Sequence, residues 1–217
     1  MIAERGTSVP LRRTDGDGDR LGGSEVVVQS STPDIRQATL QAALDYAALG
    51  WPVVPGAIWR GGRFADPVDG APVLSPHLRP LADATTDADL VRRWWSAPGR
   101  FVPNILTPVS ANLGVFTVFA TLAEAVARHP WFGADPTPVL AIQGMPLTYF
   151  LVRPPMPVVL LSDHASVVDR GMPLPLPPTS IGGTEVLCLI TPEEAGNTLV
   201  TGDDLADFIH HVERKTA

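Results

Sequence analysis

Apolar residues recur at helical spacing from Pro33 to Gly50, where Ile35, Leu40, Ala43, Leu44, Ala47 and Ala48 share a face and Gly50 stands as the stop. Trp51 to Pro55 then reads as a short strand, followed by a Gly-, Pro- and Asp-rich loop through Pro80 that is long enough to suggest a purpose. Thr85-Thr-Asp87 supplies a cap for a second helix, Ala88 to Ser96, with Leu90, Val91, Trp94 and Trp95 as its apolar residues. Asn104 to Val109 and Leu113 to Ala120 are β-rich, and Leu122, Ala125, Val126 and His129 mark a helix that Pro130 stops.

Further along, Val139 to Ile142 and Leu147 to Val152 flank Gln143-Gly-Met-Pro146 as a hairpin, and Val158 to Leu161 and Val186 to Ile190 supply more strands. A last helix is signalled by Thr201 with Asp204 three residues on, a capping box with Asp in place of Glu. Behind it runs the stripe Leu205, Phe208, Ile209 and Val212. His210, His211, Arg214 and Lys215 suit the C-terminal end of that helix dipole. The succession predicts an α+β domain with a central mixed or antiparallel sheet flanked by helices, and not a βαβ repeat.

Periodicity fails before residue 33. Residues 1–32 mix Gly, Asp, Ser and Arg, include Asp15-Gly-Asp-Gly-Asp19, and read as a flexible, solvated tail rather than a calcium loop, which would need a distal glutamate and flanking helices. Residues 33–217 read as one folded domain, since 45% of the chain is apolar. Cys188 is the only cysteine, so no internal disulfide can form, and the N-terminus has no apolar core resembling a signal peptide. No apolar run approaches the roughly eighteen residues of a membrane helix. The expectation is a cytoplasmic protein with no membrane role. Only one of the 16 basic residues, Lys215, is a lysine, a usage that suits a GC-rich genome.

Charge narrows the functional classes. The net charge is −7, but residues 34–130 carry eight acids and eight bases, whereas 131–217 carry ten acids and four bases. A protein that grips duplex DNA through phosphates usually shows a basic excess, which is missing here, so any nucleic-acid face belongs to the first two-thirds. Within that part, Trp59-Arg-Gly-Gly-Arg-Phe64 combines Arg60 and Arg63 with the aromatic Phe64, a set suited to pairing phosphates and stacking on bases. Asp66 and Asp69 follow closely and could neutralise both arginines.

Three segments in order, Ala42-Ala-Leu-Asp-Tyr-Ala-Ala-Leu-Gly-Trp-Pro-Val-Val-Pro55, Asp83-Ala-Thr-Thr-Asp-Ala-Asp-Leu-Val-Arg-Arg-Trp-Trp95 and Pro103-Asn-Ile105, resemble the N-terminal half of the bifunctional DNA primase/polymerase (Prim-Pol) family. The likeness spans roughly residues 36 to 120 and thins out beyond. It implies the fold of the archaeo-eukaryotic primase superfamily, whose members join nucleotides using two divalent metals held by acids on a central sheet. In that family the strand after Asn-Ile ends in Asp-x-Asp, two carboxylates on one strand face. Here the strand reads Leu113-Gly-Val-Phe-Thr-Val-Phe119, so Thr117 and Phe119 stand where the resemblance implies aspartates. The family's phosphate-binding histidine has no counterpart in Gly144-Met-Pro-Leu-Thr-Tyr-Phe150. Of its third motif, Asp169-Arg-Gly171 leading into Leu176-Pro-Pro-Thr-Ser180 leaves Asp169 as the one residual acid.

Other chemistries lack their residues. No P-loop or dinucleotide fingerprint is present, the five histidines show no zinc spacing, and Ser162-Asp163-His164 are adjacent positions that cannot converge as a triad. The expected function is a catalytically inactive Prim-Pol-like module that binds or regulates, in replication or transcription, with no catalytic residue, no metal and no cofactor. Its expected contacts are an unidentified protein partner and weak nucleic-acid or nucleotide binding at Arg60, Arg63 and Phe64, with a homo-oligomer left open. The alternatives are an active nucleotidyltransferase using magnesium or manganese on relocated acids, with Asp163, Asp169 and Glu185 the recruits, and a protein-interaction scaffold with no nucleic-acid role.

Overall fold

The first helix, α1 (Thr32–Ala48), ends where Gly50 was expected to end it, with Gly50 at φ 81°. The Gly50 amide donates to Ala47 O at 3.0 Å and the Trp51 amide to Tyr46 O at 3.0 Å, the paired bonds of a Schellman stop. Tyr46 and Trp51 stack across that stop with ring centroids 5.6 Å apart, the apolar contact that closes it. This is a computed structural model, and it describes residues 32–157 and 162–216. The tail expected over 1–32, its aspartate run and the strand expected at Val158 to Leu161 fall, all but Thr32, outside the described residues.

The other two segments that carried the family resemblance are also joints. Thr85 makes paired backbone bonds with Val53 (2.9 and 3.0 Å), and its hydroxyl accepts from the Asp87 amide at 3.0 Å. Asp87 then caps α2 (Ala88–Trp95), accepting from Asp89 N at 2.8 Å and Leu90 N at 3.2 Å. Asn104 opens β4 (Asn104–Pro108) and its amide donates to Ala57 O at 2.7 Å and Ser180 O at 2.9 Å, tying together two connections far apart in sequence. Beside it, Thr179 is buried, its hydroxyl accepting from Ile105 N at 2.8 Å and donating to Ile105 O at 3.1 Å.

Strand β1 (Val54–Gly56) pairs with β4, and β4 with β9 (Pro173–Leu176), as a three-stranded sheet of order β1-β4-β9. A six-stranded sheet is formed by β5 (Gly114–Phe119), β6 (Val139–Ile142), β7 (Leu147–Val152), β8 (Ala165–Val167), β10 (Ser180–Ile181) and β11 (Thr184–Ile190), in the order β10-β11-β6-β7-β5-β8. Every ladder between these strands is antiparallel, and among the described residues the parallel pairing is an isolated bridge, Arg153 to Thr201. The chain has the expected α+β fold. Four elements escaped the sequence pattern here: Pro130 begins a short helix, α4 (Pro130–Ala134), rather than only ending α3 (Ala120–Ala127), the short strands β8 and β10 were not expected, and β9 is a strand despite Pro173 and Pro175. Proline suits a first helical turn, where no amide is needed, and β9 lies at a sheet edge, where a missing amide breaks no ladder.

The six-stranded sheet is covered on both faces. Phe116, Val118, Phe150 and Val152 pack with α3 and α5 (Gly202–Thr216), whose Thr201 hydroxyl accepts from Asp204 N as the capping box required. Val115, Leu140 and Leu151 pack on the other side with α1, α2 and the three-stranded sheet, and Trp95 is fully buried there. Among the described residues no helix is long and apolar enough to cross a membrane.

Candidate functional site

Alternation along β5 sends Val115, Thr117 and Phe119 to the side of α1 and α2. Thr117 sits opposite Tyr149 on β7 and Ser166 on β8, and Phe119 opposite Leu147. The Thr117 hydroxyl is 2.7 Å from the Ser166 hydroxyl, and Phe119, 42% exposed, lies edge-on to the His164 ring at 6.1 Å. Burial holds the Tyr149 phenol above its usual range, which keeps it neutral. The positions where the resemblance implies two aspartates therefore hold a hydroxyl pair and a phenyl ring. Hard cations such as magnesium take carboxylate oxygens. The side chains gathered on this part of the sheet, Thr117, Phe119, Leu147, Tyr149 and Ser166, offer none, and so do not fit a two-metal site.

The acids available for relocation are spread apart. Asp163 precedes β8 in a turn and Asp169 follows the same strand at its other end, exposed, with its carbonyl accepting from Met172 N at 3.2 Å. Glu185 lies exposed on β11, three strands from β5 and so about 14 Å away at about 4.8 Å per strand. Among the described residues no three His, Cys, Asp or Glu side chains gather where they could hold a metal. Ser162 and His164 belong to one turn, in which the Ser162 hydroxyl accepts from the His164 amide at 3.1 Å, and His164 Nδ1 lies 3.1 Å from Glu213 Oε1.

The arginine segment has a defined shape that the sequence pattern missed. Trp59-Arg-Gly-Gly-Arg-Phe64 is a tight hairpin of β2 (Ile58–Arg60) and β3 (Arg63–Ala65), not a loop. Gly61 and Gly62 both have positive φ, 58° and 79°, as the two central residues of a type I′ turn demand; the Gly-Gly pair was the available signal. Arg60 and Arg63 are directly paired across the strands and exposed, while Phe64 packs edge-on against Trp59 at 4.9 Å. Like charges opposed on a hairpin repel. Asp66 and Asp69 do not relieve them: their carboxylates accept from Val68 N at 2.7 Å and Ala71 N at 2.8 Å, holding turns, and among the described residues neither forms an ion pair.

Arg60 finds its aromatic partner elsewhere, 4.8 Å from the centroid of Phe101, which also receives Arg100 at 5.5 Å. Residues 43–130 match the bifunctional DNA primase/polymerase, N-terminal family. The matched stretch runs from α1 through the hairpin, α2, β4, β5 and α3 to Pro130, and so includes Arg60, Arg63, Phe101, Thr117 and Phe119. No curated protein and no solved structure matches the chain. The similarity of residues 43–130 is thus to a DNA primase/polymerase family.

Proposed function

We propose that this chain is a Prim-Pol-like domain that binds or regulates and does not polymerise. The observation that carries the reading is the side-chain set on β5: a threonine hydroxyl tied to Ser166 and an exposed phenylalanine at the two alternate positions where the family resemblance implies carboxylates. Two-metal phosphoryl transfer depends on ions clamped between the attacking and leaving oxygens. With Asp163 and Asp169 at opposite ends of β8 and Glu185 three strands from β5, no relocated pair supplies that clamp. The module has no resident metal or cofactor in this reading, acts in the cytoplasm in replication or transcription, and works through a protein partner.

Residual nucleic-acid or nucleotide binding is weak and centres on Arg60 and Arg63, with Phe64 shaping the hairpin that presents them. The acidic last third of the chain, ten acids against four bases over 131–217, limits any wider grip on phosphates. The test is primer extension with magnesium and with manganese. No incorporation above a protein-free control is expected, and robust nucleotide incorporation overturns the reading in favour of an active nucleotidyltransferase.

A further inference from the structure

A groove runs beside the last turns of α1, at the end of the six-stranded sheet where Gly114 of β5 is paired with Val152 of β7. Phe119 lies at the other end of β5, about 17 Å away at about 3.4 Å per residue. The groove has two halves, of about 300 and 540 Å³, which share Leu49, Pro192 and Asn197. The smaller is lined by Arg153 and the side-chain amide of Asn112, and by no acid; the larger is lined by Asp45 and Glu193, and by no base. Among the described residues none of these three charges forms an ion pair, and the side chains of Arg153, Asn112 and Asn197 make no hydrogen bond within the chain. Glu194 differs from its neighbour: its Oε2 accepts from the Thr191 amide at 2.7 Å and so serves the turn.

The frame around these groups is built by folding. Tyr46 backs the acidic half and Trp51 the basic half, both rings buried and stacked on one another at the Schellman stop. Facing α1, the turn after β11 is closed by Ala195 N to Thr191 O at 3.0 Å, Gly196 N to Glu193 O at 2.9 Å and Asn197 N to Pro192 O at 2.7 Å. The backbone of Arg153 is fixed by its amide donating to Val200 O at 2.8 Å and its carbonyl accepting from Gly202 N at 2.9 Å. A guanidinium fork matches a carboxylate in a paired bond, and amides supply further donors beside it. The two carboxylates, with the carbonyl end of α1 behind them, favour a cation. Leu49 stands one helical turn, about 5–6 Å, beyond Asp45. A carboxylate and a side-chain cation span such a gap, whereas a backbone ammonium beside its own carboxylate does not. Arg153, Asn112, Asn197, Asp45 and Glu193 are all exposed, so the groove is open along its length, as the end of a chain requires.

We infer that this groove captures the carboxyl end of a peptide chain whose last residue is basic, the terminal carboxylate on Arg153 and the side-chain cation on Asp45 and Glu193. It rests on the proposed function only in expecting a protein partner, and nucleotide incorporation in the primer-extension test would leave it standing. Fluorescence anisotropy of the full chain with an amino-terminally labelled Gly-Ser-Gly-Ser-Lys peptide, its carboxyl end free, tests it. Amidating that end weakens binding about tenfold, as does exchanging the lysine for glutamate. Arg153→Gln lowers affinity for the free-acid peptide about tenfold and leaves that of the amidated peptide unaltered. Glu193→Gln weakens the lysine peptide and leaves a norleucine-ended one unaltered. Both side chains are exposed and unpaired among the described residues, so the melting temperature of either variant stays as it was. Equal binding of the free-acid and amidated peptides overturns the inference, as does full affinity in Arg153→Gln or no binding at millimolar peptide. Displacement of the label by free lysine as readily as by unlabelled peptide also overturns it, and reassigns the groove to an amino-acid ligand.

Discussion

On β5, Thr117 and Phe119 present a hydroxyl tied to Ser166 and a phenyl ring against His164; around α2, Arg79, Arg93, Arg60 and Arg100 present guanidiniums with no carboxylate partner among the described residues. Thr117, Phe119 and the four arginines fall within the stretch similar to the Prim-Pol family, whereas Ser166 and His164 lie beyond it. The polar groups of the first satisfy one another, so little there calls for a ligand. In the second, backbone bonds to Val68 O, Pro67 O, Pro55 O and Pro76 O hold the loops while the charges are left over. A rigid frame with unspent donors is the usual form of a binding site, because the cost of ordering has been met in folding. Family resemblance directs attention to the sheet face, and the physical imbalance lies around α2.

The largest test of this contrast lies between two adjacent tryptophans. Trp95 is fully buried in the core and Trp94 lines the cavity beside α2, so Trp95→Ala should cost about 3–5 kcal/mol in chemical denaturation. Trp94→Ala should cost clearly less. Equal destabilisation by both would make Trp94 a core residue and not a wall of that cavity. Next in size, Arg36→Ala removes three charge-assisted bonds to the loop after α2 and should cost about 1.5–3 kcal/mol, with faster proteolysis between Ala97 and Pro103. An unchanged digestion pattern would mean that the loops hold themselves.

Gly50→Ala should cost about 1–2 kcal/mol. Nothing lies within 4 Å of the added carbon, so the whole effect comes from the positive φ of the Schellman stop. Thr117→Val should be milder, about 0.5–1.5 kcal/mol for the bond to Ser166, and should leave nucleic-acid affinity as it was. A fall in affinity there would move the binding site back to the sheet. The smallest effect concerns Cys188, whose thiol burial pushes up to about 11 and whose Sγ–H donates to Ile190 O at 3.3 Å. A raised pKa means the folded chain holds its proton more tightly. The associated stability is fully present below the unfolded thiol range, near pH 8.5, and fades as pH rises towards 11. Iodoacetamide at pH 8 should therefore alkylate the native chain more slowly than the urea-unfolded one.

The fold was legible where local chemistry decides the outcome. Gly50 behind an apolar stripe, Asp87 before α2 and Thr201 with Asp204 each announced a helix end, and each serves as one. Thr179 and Asn104, which lock β4 to the β9–β10 connection, gave no such signal, because their bonds span residues more than seventy apart. The candidate site divided in the same way. Arg60 and Arg63 stood out from their Gly-Gly centre, though the same pair should also have predicted the hairpin. Phe101 and Arg79 did not stand out, since their roles come from loops brought together only by folding. The concern that Asp66 and Asp69 would quench the arginines came from proximity in sequence. Among the described residues neither forms an ion pair, because an aspartate two residues before a backbone amide closes its own turn first.

The prolines of β9 have a bearing beyond this single chain. Pro173 and Pro175 face the same way on the outermost strand of the three-stranded sheet, and neither has an amide hydrogen to offer. An incoming strand from another molecule would find carbonyls there without the donors that normally alternate with them. With Leu174, Pro175 and Leu176 buried as well, that border is a poor template for intermolecular growth.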